Sequence, residues 1–215
     1  MRKLIDKRRN YWVLIPTYGT LVFIVLYVVA TKFYPGGSQV DKNPYGFSWM
    51  NNYWCNLLNE NAMNGEYNTA KPIAMAAMLV LCLSLALFWF LFPRQLDIRK
   101  GLKLTIQISG ILSMSIAYFL FTTYNHDLIT NLASFFGLLA IIGTFIGLYK
   151  AKRYAHLVFG LLNILLIGVN TYFYYNKELI IYLPVIQKIS FATFLTWICC
   201  LNILLLRITK RQAIT

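Results

Sequence analysis

The sequence predicts an all-α polytopic membrane protein of six transmembrane helices, both termini cytoplasmic, with one long structured extracytoplasmic loop between the first two. Three observations carry that prediction. The 215 residues are 59% hydrophobic and only 13% charged, whereas soluble domains are nearer half apolar and a quarter charged. Several apolar runs exceed the length of about 18 residues that reads as a membrane span. Lipid also leaves backbone polar groups no partner outside the chain, so long apolar runs must be helices. One segment, 34–72, breaks the apolar pattern. It is Asn-rich and holds Trp49, Trp54, Cys55 and three of the six Pro.

In chain order, a basic tail at 1–10 precedes the first span, at about 11–33. This run is too long for a signal-peptide core, and no small-residue cleavage site follows it, so it reads as an uncleaved span. Pro16 falls in its first turns, where a missing N–H is tolerated. The polar loop 34–71 follows. Pro72 opens the second span, about 72–92, and Pro93 closes it. A basic loop with Arg94, Arg99, Lys100 and Lys103 leads to the third span, about 102–123. The tight connection Tyr124-Asn125-His126-Asp127 leads to the fourth, about 128–149. Lys150, Lys152 and Arg153 separate that from the fifth, about 155–175, and a turn at 176–183 precedes the sixth, about 184–208. The whole chain is read as a single membrane domain.

Orientation comes from charge. Fifteen of the twenty Lys and Arg fall on the side of the N-terminus, and five of the seven acids fall on the other. The positive-inside rule then puts both termini in the cytoplasm and 34–72 outside. The same clustering between spans excludes nucleic acid as a partner, because a nucleic-acid surface needs a contiguous basic face. Tyr and Trp at span ends (Tyr11, Trp12, Tyr34, Tyr118, Tyr149, Tyr172, Tyr174, Tyr175) read as an interfacial belt. Gly143 and Gly147 form a small-xxx-small pair that lets another helix approach. Packing within the chain is its expected use, ahead of homo-oligomer formation.

The cysteines form no disulfide framework. Cys82, Cys199 and Cys200 lie in apolar runs, and Cys55 is expected to pack. Catalytic zinc wants three protein ligands, usually with two or more His; the chain has two His, at opposite ends of spans, so no metal or other cofactor is expected. Ser38 or Ser48 with His126 and Asp127 makes a poor triad, since adjacent residues do not ordinarily orient each other. His126 is the one candidate base. Gln107, Ser109, Ser113, Ser115, Asn163 and Asn202 lie inside spans, are neutral, and are expected to bond between helices.

The candidate binding residues converge on one outer layer. His126 and Asp127 lie at the outer end of the fourth span, with Asn131 one turn deeper on the same face. Asn170 on the fifth span is about 8 Å below its outer end, and Gln187 and Lys188 on the sixth are roughly 6–8 Å in. Lys188 and Asp127 are the charge pair if their faces meet. Asn51, Asn52, Trp54 and Asn56 of the loop complete the set, with the loop as a folded lid above it. Ionisable groups at membrane depth are functional suspects by default. The competing account is that Asp127 serves the helix dipole and Lys188 snorkels outward.

The words YPGGS at 34–38, GFSWMNNYWCNLL at 46–58 and NGEYN at 64–68, followed by a Pro-led span, resemble the bacterial and archaeal membrane proteins grouped as domain of unknown function 998. HDL at 126–128 is similar to that family's later outer signature. The resemblance implies about six spans and an outer first loop of this kind, and a more distant similarity to the Frag1/DRAM-type proteins of eukaryotes. It also implies an acid in relatives where this chain has Asn56, and it implies no established activity. The expectation is therefore a multi-pass protein of the plasma (inner) membrane that binds a lipid headgroup or partner at the outer layer. A lipid- or glycan-directed hydrolase or transferase with His126 as base is the second expectation, and a small transporter the third.

Overall fold

The computed structural model describes residues 11–119 and 126–212; the side chains of 126, 127, 211 and 212 fall outside that description. The basic N-terminal tail, the connection before His126 and the end of the C-terminal tail lie outside it too. The described residues include six α-helices: α1 (Ile15–Lys32), α2 (Lys71–Leu91), α3 (Lys100–Tyr118), α4 (His126–Lys150), α5 (Tyr154–Tyr175) and α6 (Leu183–Gln212). Short 3-10 turns at Tyr11–Leu14, Trp54–Leu58, Phe92–Gln95 and Ile180–Tyr182 flank or join them. No strand occurs among the described residues, only two isolated bridges, Gly36 to Tyr45 and Asn61 to Tyr67.

Five helical stretches are long and apolar enough to cross a membrane: Tyr11–Lys32, Lys71–Gln95, Leu128–Lys150, Tyr154–Tyr175 and Ile180–Lys210. Helix α3 is not among these five, and the residues after 119 with which the sequence extended it to 123 are not described. Its polar residues, Lys103, Gln107, Ser109, Ser113 and Ser115, dilute the apolar run.

The chain forms two compact units. The first comprises Met1–Leu21, Leu79–Phe159 and Thr196–Thr215. Within it, Val13, Leu91 and Leu205 form a buried cluster, with Leu87 and Leu206 against it. Trp89 is buried between its neighbours Phe88 (centroids 5.0 Å apart) and α3, where a Cβ on Gly110 would fall 2.2 Å from its Cγ. Gln107 donates to the Phe90 carbonyl (2.6 Å) and Ser113 to the Ala133 carbonyl (2.8 Å), so α3 is hydrogen-bonded to both α2 and α4. Gly143 and Gly147 meet partners inside the chain: a Cβ there would fall 2.5 Å from Ile106 and 2.8 Å from Leu96. The His156 carbonyl, in the first turn of α5, accepts the Trp197 indole N–H (2.8 Å).

The second unit comprises Val22–Met78 and Gly160–Leu195, and it holds the whole polar loop. The belt residues divide here. Tyr172, Tyr174 and Tyr175 are exposed near the end of α5, but Tyr34 is buried. The sequence placed Tyr34 in the interfacial belt; the loop instead folds back over it, and its hydroxyl accepts the Met63 N–H (2.9 Å).

Candidate functional site

The loop joining α1 to α2 is a folded body whose backbone is held by side-chain amides. Its first part is a tight hairpin. Gly37 N–H bonds the Pro44 carbonyl (2.8 Å), Gly46 N–H bonds the Pro35 carbonyl (2.9 Å), and the Ser38 hydroxyl accepts from the Val40 and Asp41 amides. Gly37 has φ +75°, and a Cβ there would fall 2.5 Å from the Asn64 backbone nitrogen, so both conformation and space require glycine.

Three buried Asn knit the remainder. Asn52 accepts the Ser48 N–H (2.8 Å) and donates to the Gly37 carbonyl (2.8 Å). Asn56 accepts the Tyr53 N–H (2.7 Å). Asn68 donates to the carbonyls of Asn56 (3.1 Å) and Asn59 (2.9 Å) and accepts the Ala70 N–H (3.1 Å). Buried backbone groups need such partners, and an irregular loop has no ladder to supply them. Asn52 and Asn56, read from sequence as ligand-binding candidates, thus spend their amides on the loop itself. Asn51 is half-buried, and its backbone N–H donates to the Ser48 hydroxyl oxygen (3.2 Å).

The loop is seated on two helices. The Tyr27 hydroxyl of α1 donates to the Trp54 carbonyl (3.1 Å), and the Tyr27 ring lies 4.7 Å from the Trp54 ring. On α6, the Gln187 side-chain oxygen accepts the Trp54 N–H (3.2 Å). The Lys188 ammonium donates to the carbonyls of Asn52 (2.5 Å) and Pro184 (3.0 Å) and lies 5.7 Å from the face of Phe47. A run of rings continues outward from the helices: Phe23 to Tyr27 (4.9 Å), Trp54 to Trp49 (5.7 Å), Trp49 to Phe47 (5.6 Å), and Phe47 to Tyr34 (5.6 Å). Each such pair contributes about 0.5–1.5 kcal/mol beyond its buried area.

Of the residues singled out in the sequence, the structure brings together Asn52, Trp54, Gln187 and Lys188. Asn170 is near by on α5, bonded to Ser190 of α6 and to the Leu166 carbonyl (2.8 Å). Asn131 is exposed on α4. His126 and Asp127 open α4, but their side chains lie outside the described residues, and so does any Lys188–Asp127 pairing. The sequence reading missed Tyr27, Phe47, Asn68 and Ser190. Only Asn68 carried a local signal, since an Asn two residues before the acceptor-seeking N–H of Ala70 is an Asx turn leading into a helix.

Cys55 is exposed, where the sequence suggested simple packing. The protein around its sulfur still desolvates the thiol and pushes its pKa up, opposed by its own backbone amide and by the Lys188 ammonium. A thiolate is therefore scarce at neutral pH, which does not suit a nucleophile. Alkylation of Cys55 is expected to gain rate only above the pH at which a free thiol does. Lys188→Met removes a positive neighbour that favours the thiolate, so it moves the profile higher still. Mass spectrometry of Cys55 labelling against pH measures both shifts, and a profile at or below that of a free thiol contradicts them. Among the described residues no group of three or more His, Cys, Asp or Glu is arranged to hold a metal ion.

No family model, curated protein or solved structure matches the chain.

Proposed function

We propose that the chain is a six-span integral membrane protein, with both termini cytoplasmic, that holds an anionic lipid headgroup at Lys188 under its outer loop. One observation carries the reading. Lys188 sits within an apolar helix long enough to cross a membrane, and the partners that the structure gives its ammonium are neutral: the carbonyls of Asn52 and Pro184 and the face of Phe47. Two neutral carbonyls accept from it, and an ammonium has three N–H groups to donate. An ammonium at such a position is costly without an anion, and a phosphate headgroup is the anion a bilayer supplies. The five apolar helices and the Lys/Arg asymmetry support the topology, with α3 as the sixth span.

The reading includes kinship with the domain-of-unknown-function 998 proteins, and with it a prokaryotic plasma membrane. What supports the kinship is that the resembling words are the parts that build the loop: Gly36 and Gly37 make its hairpin, and Asn52 and Asn56 make its framework.

Native mass spectrometry of protein taken from phosphatidylglycerol-containing nanodiscs tests the reading. Lys188→Met is expected to lower retained anionic lipid about tenfold or more, the scale of a lost charge-assisted hydrogen bond. Gln187→Met, which weakens the loop seat and leaves the ammonium, is expected to retain most of it. Unchanged retention in Lys188→Met overturns the proposal, and equal loss in both variants shows that the seat, not the charge, holds the lipid.

A further inference from the structure

We infer that the loop segment 47–54 is itself set into the membrane interface, with Trp49 and Met50 entering the lipid at the headgroup–acyl boundary. The inference rests on the five apolar helices lying in a bilayer, and it does not need a headgroup at Lys188. It starts from depth. The Trp54 carbonyl is bonded to Tyr27, five residues before the end of α1, which is about 8 Å along the axis. Helical side chains lean toward the N-terminus, so Tyr27 leans away from that end, and Trp54 must come in to meet it. On α6 the same segment meets Gln187 and Lys188, about 6–8 Å past the first residue, Leu183. The lean there runs toward the loop and shortens the distance, so the α1 contact fixes the depth.

Irregular backbone at that level is tolerated only when its polar groups are satisfied within the protein. Asn52, Asn56 and Asn68 do this, which accounts for amides being placed where a loop in water could use solvent. The composition agrees. From 47 to 58 there is no Asp, Glu, Lys or Arg; the loop's charges sit at Asp41, Lys42, Glu60, Glu66 and Lys71.

Within the uncharged stretch, Trp49 is 45% and Met50 64% exposed, and the Trp49 ring lies 5.7 Å from Trp54. Trp49 is therefore at most about a ring's width from the seat. On α6, Ile189, one residue beyond Lys188, is an exposed apolar side chain at the same level. Trp at such a level is the residue that bilayer interfaces favour. Tyr45, 91% exposed on the charged hairpin, marks the contrasting, water-facing part.

Nitroxide labels report this depth directly. In a background with Cys55, Cys82, Cys199 and Cys200 all replaced by Ser or Ala and reconstituted into nanodiscs, Met50→Cys and Tyr45→Cys are each labelled, both positions being exposed and their side chains outside the loop framework. The label at 50 is expected to be relaxed more strongly by oxygen than by a water-soluble nickel chelate, and the label at 45 the reverse. Preferential nickel access at 50, equal behaviour at both positions, or protection of 50 from both agents by a protein partner overturns the inference. Lipid retention in Lys188→Met is read separately, so failure of either proposal is distinguishable from failure of the other.

Discussion

Replacing Asn52 with Leu is expected to open the loop between α1 and α2 while leaving the helices assembled. Asn52 is fully buried, and Leu fills a similar volume without hydrogen-bonding capacity. The change strands the Ser48 N–H and the Gly37 carbonyl, each now bonded at 2.8 Å. A buried group left without its partner costs about 1–3 kcal/mol, so the local loss is about 2–6 kcal/mol. The damage reaches the seat, because the carbonyl of the same residue receives the Lys188 ammonium. It does not reach the Val13–Leu91–Leu205 cluster or the Trp89 contacts, which use no loop residue. Limited trypsin digestion measures the effect at Lys42, an exposed loop residue. Cleavage there is expected to quicken at least tenfold in Asn52→Leu. Asn52→Asp keeps the acceptor oxygen and loses the donor, so it should fall between. A Leu variant as resistant as the parent would mean that the amide network does not hold the loop.

The parts of the fold legible in the sequence are those set by local chemistry. The second span, read as 72–92, is the helix Lys71–Leu91, because an apolar run bounded by Pro72 and Pro93 leaves little choice of ends. The depth shared by Gln187 and Lys188 also followed from counting residues along a helix. Their partners did not follow, because three are backbone groups (the carbonyls of Asn52 and Pro184 and the N–H of Trp54), and backbone has no sequence signature. Asn51 and Asn52 look alike in the sequence, yet one is half-buried and the other fully buried; which amide turns inward is decided by the Ser48 turn. Tyr34 was misplaced for the same reason. Proximity to a span end suggests an interface, whereas a loop that folds back can cover what composition leaves exposed.

Gly110→Ala tests the placement of α3, the helix whose apolarity falls short of the other five. A helix of this composition gains less from lipid and depends more on its neighbours. Its contact with α2 is unusually close: the added methyl carbon would lie 2.2 Å from Trp89 Cγ and 2.5 Å from Trp89 Cβ. Both atoms are at the root of the side chain, and Trp89 is 2% exposed with Phe88 at 5.0 Å, so no rotamer change relieves the clash. The helices must part, and the 2.6 Å bond from Gln107 to the Phe90 carbonyl lengthens with them. Overpacking of this kind costs about 1–3 kcal/mol, and contact at the base of a ring belongs at the upper end. Gly101, in the first turn of the same helix, has nothing within 4 Å of a built Cβ. Gly101→Ala should therefore be neutral or stabilise by up to about 1 kcal/mol, through helix propensity alone. Thermal unfolding of the two variants in one detergent separates packing from propensity. The midpoint is expected to fall for Gly110→Ala and to hold or rise for Gly101→Ala. Equal midpoints would show that α3 does not pack against Trp89, and would remove the contact on which its place beside α2 depends.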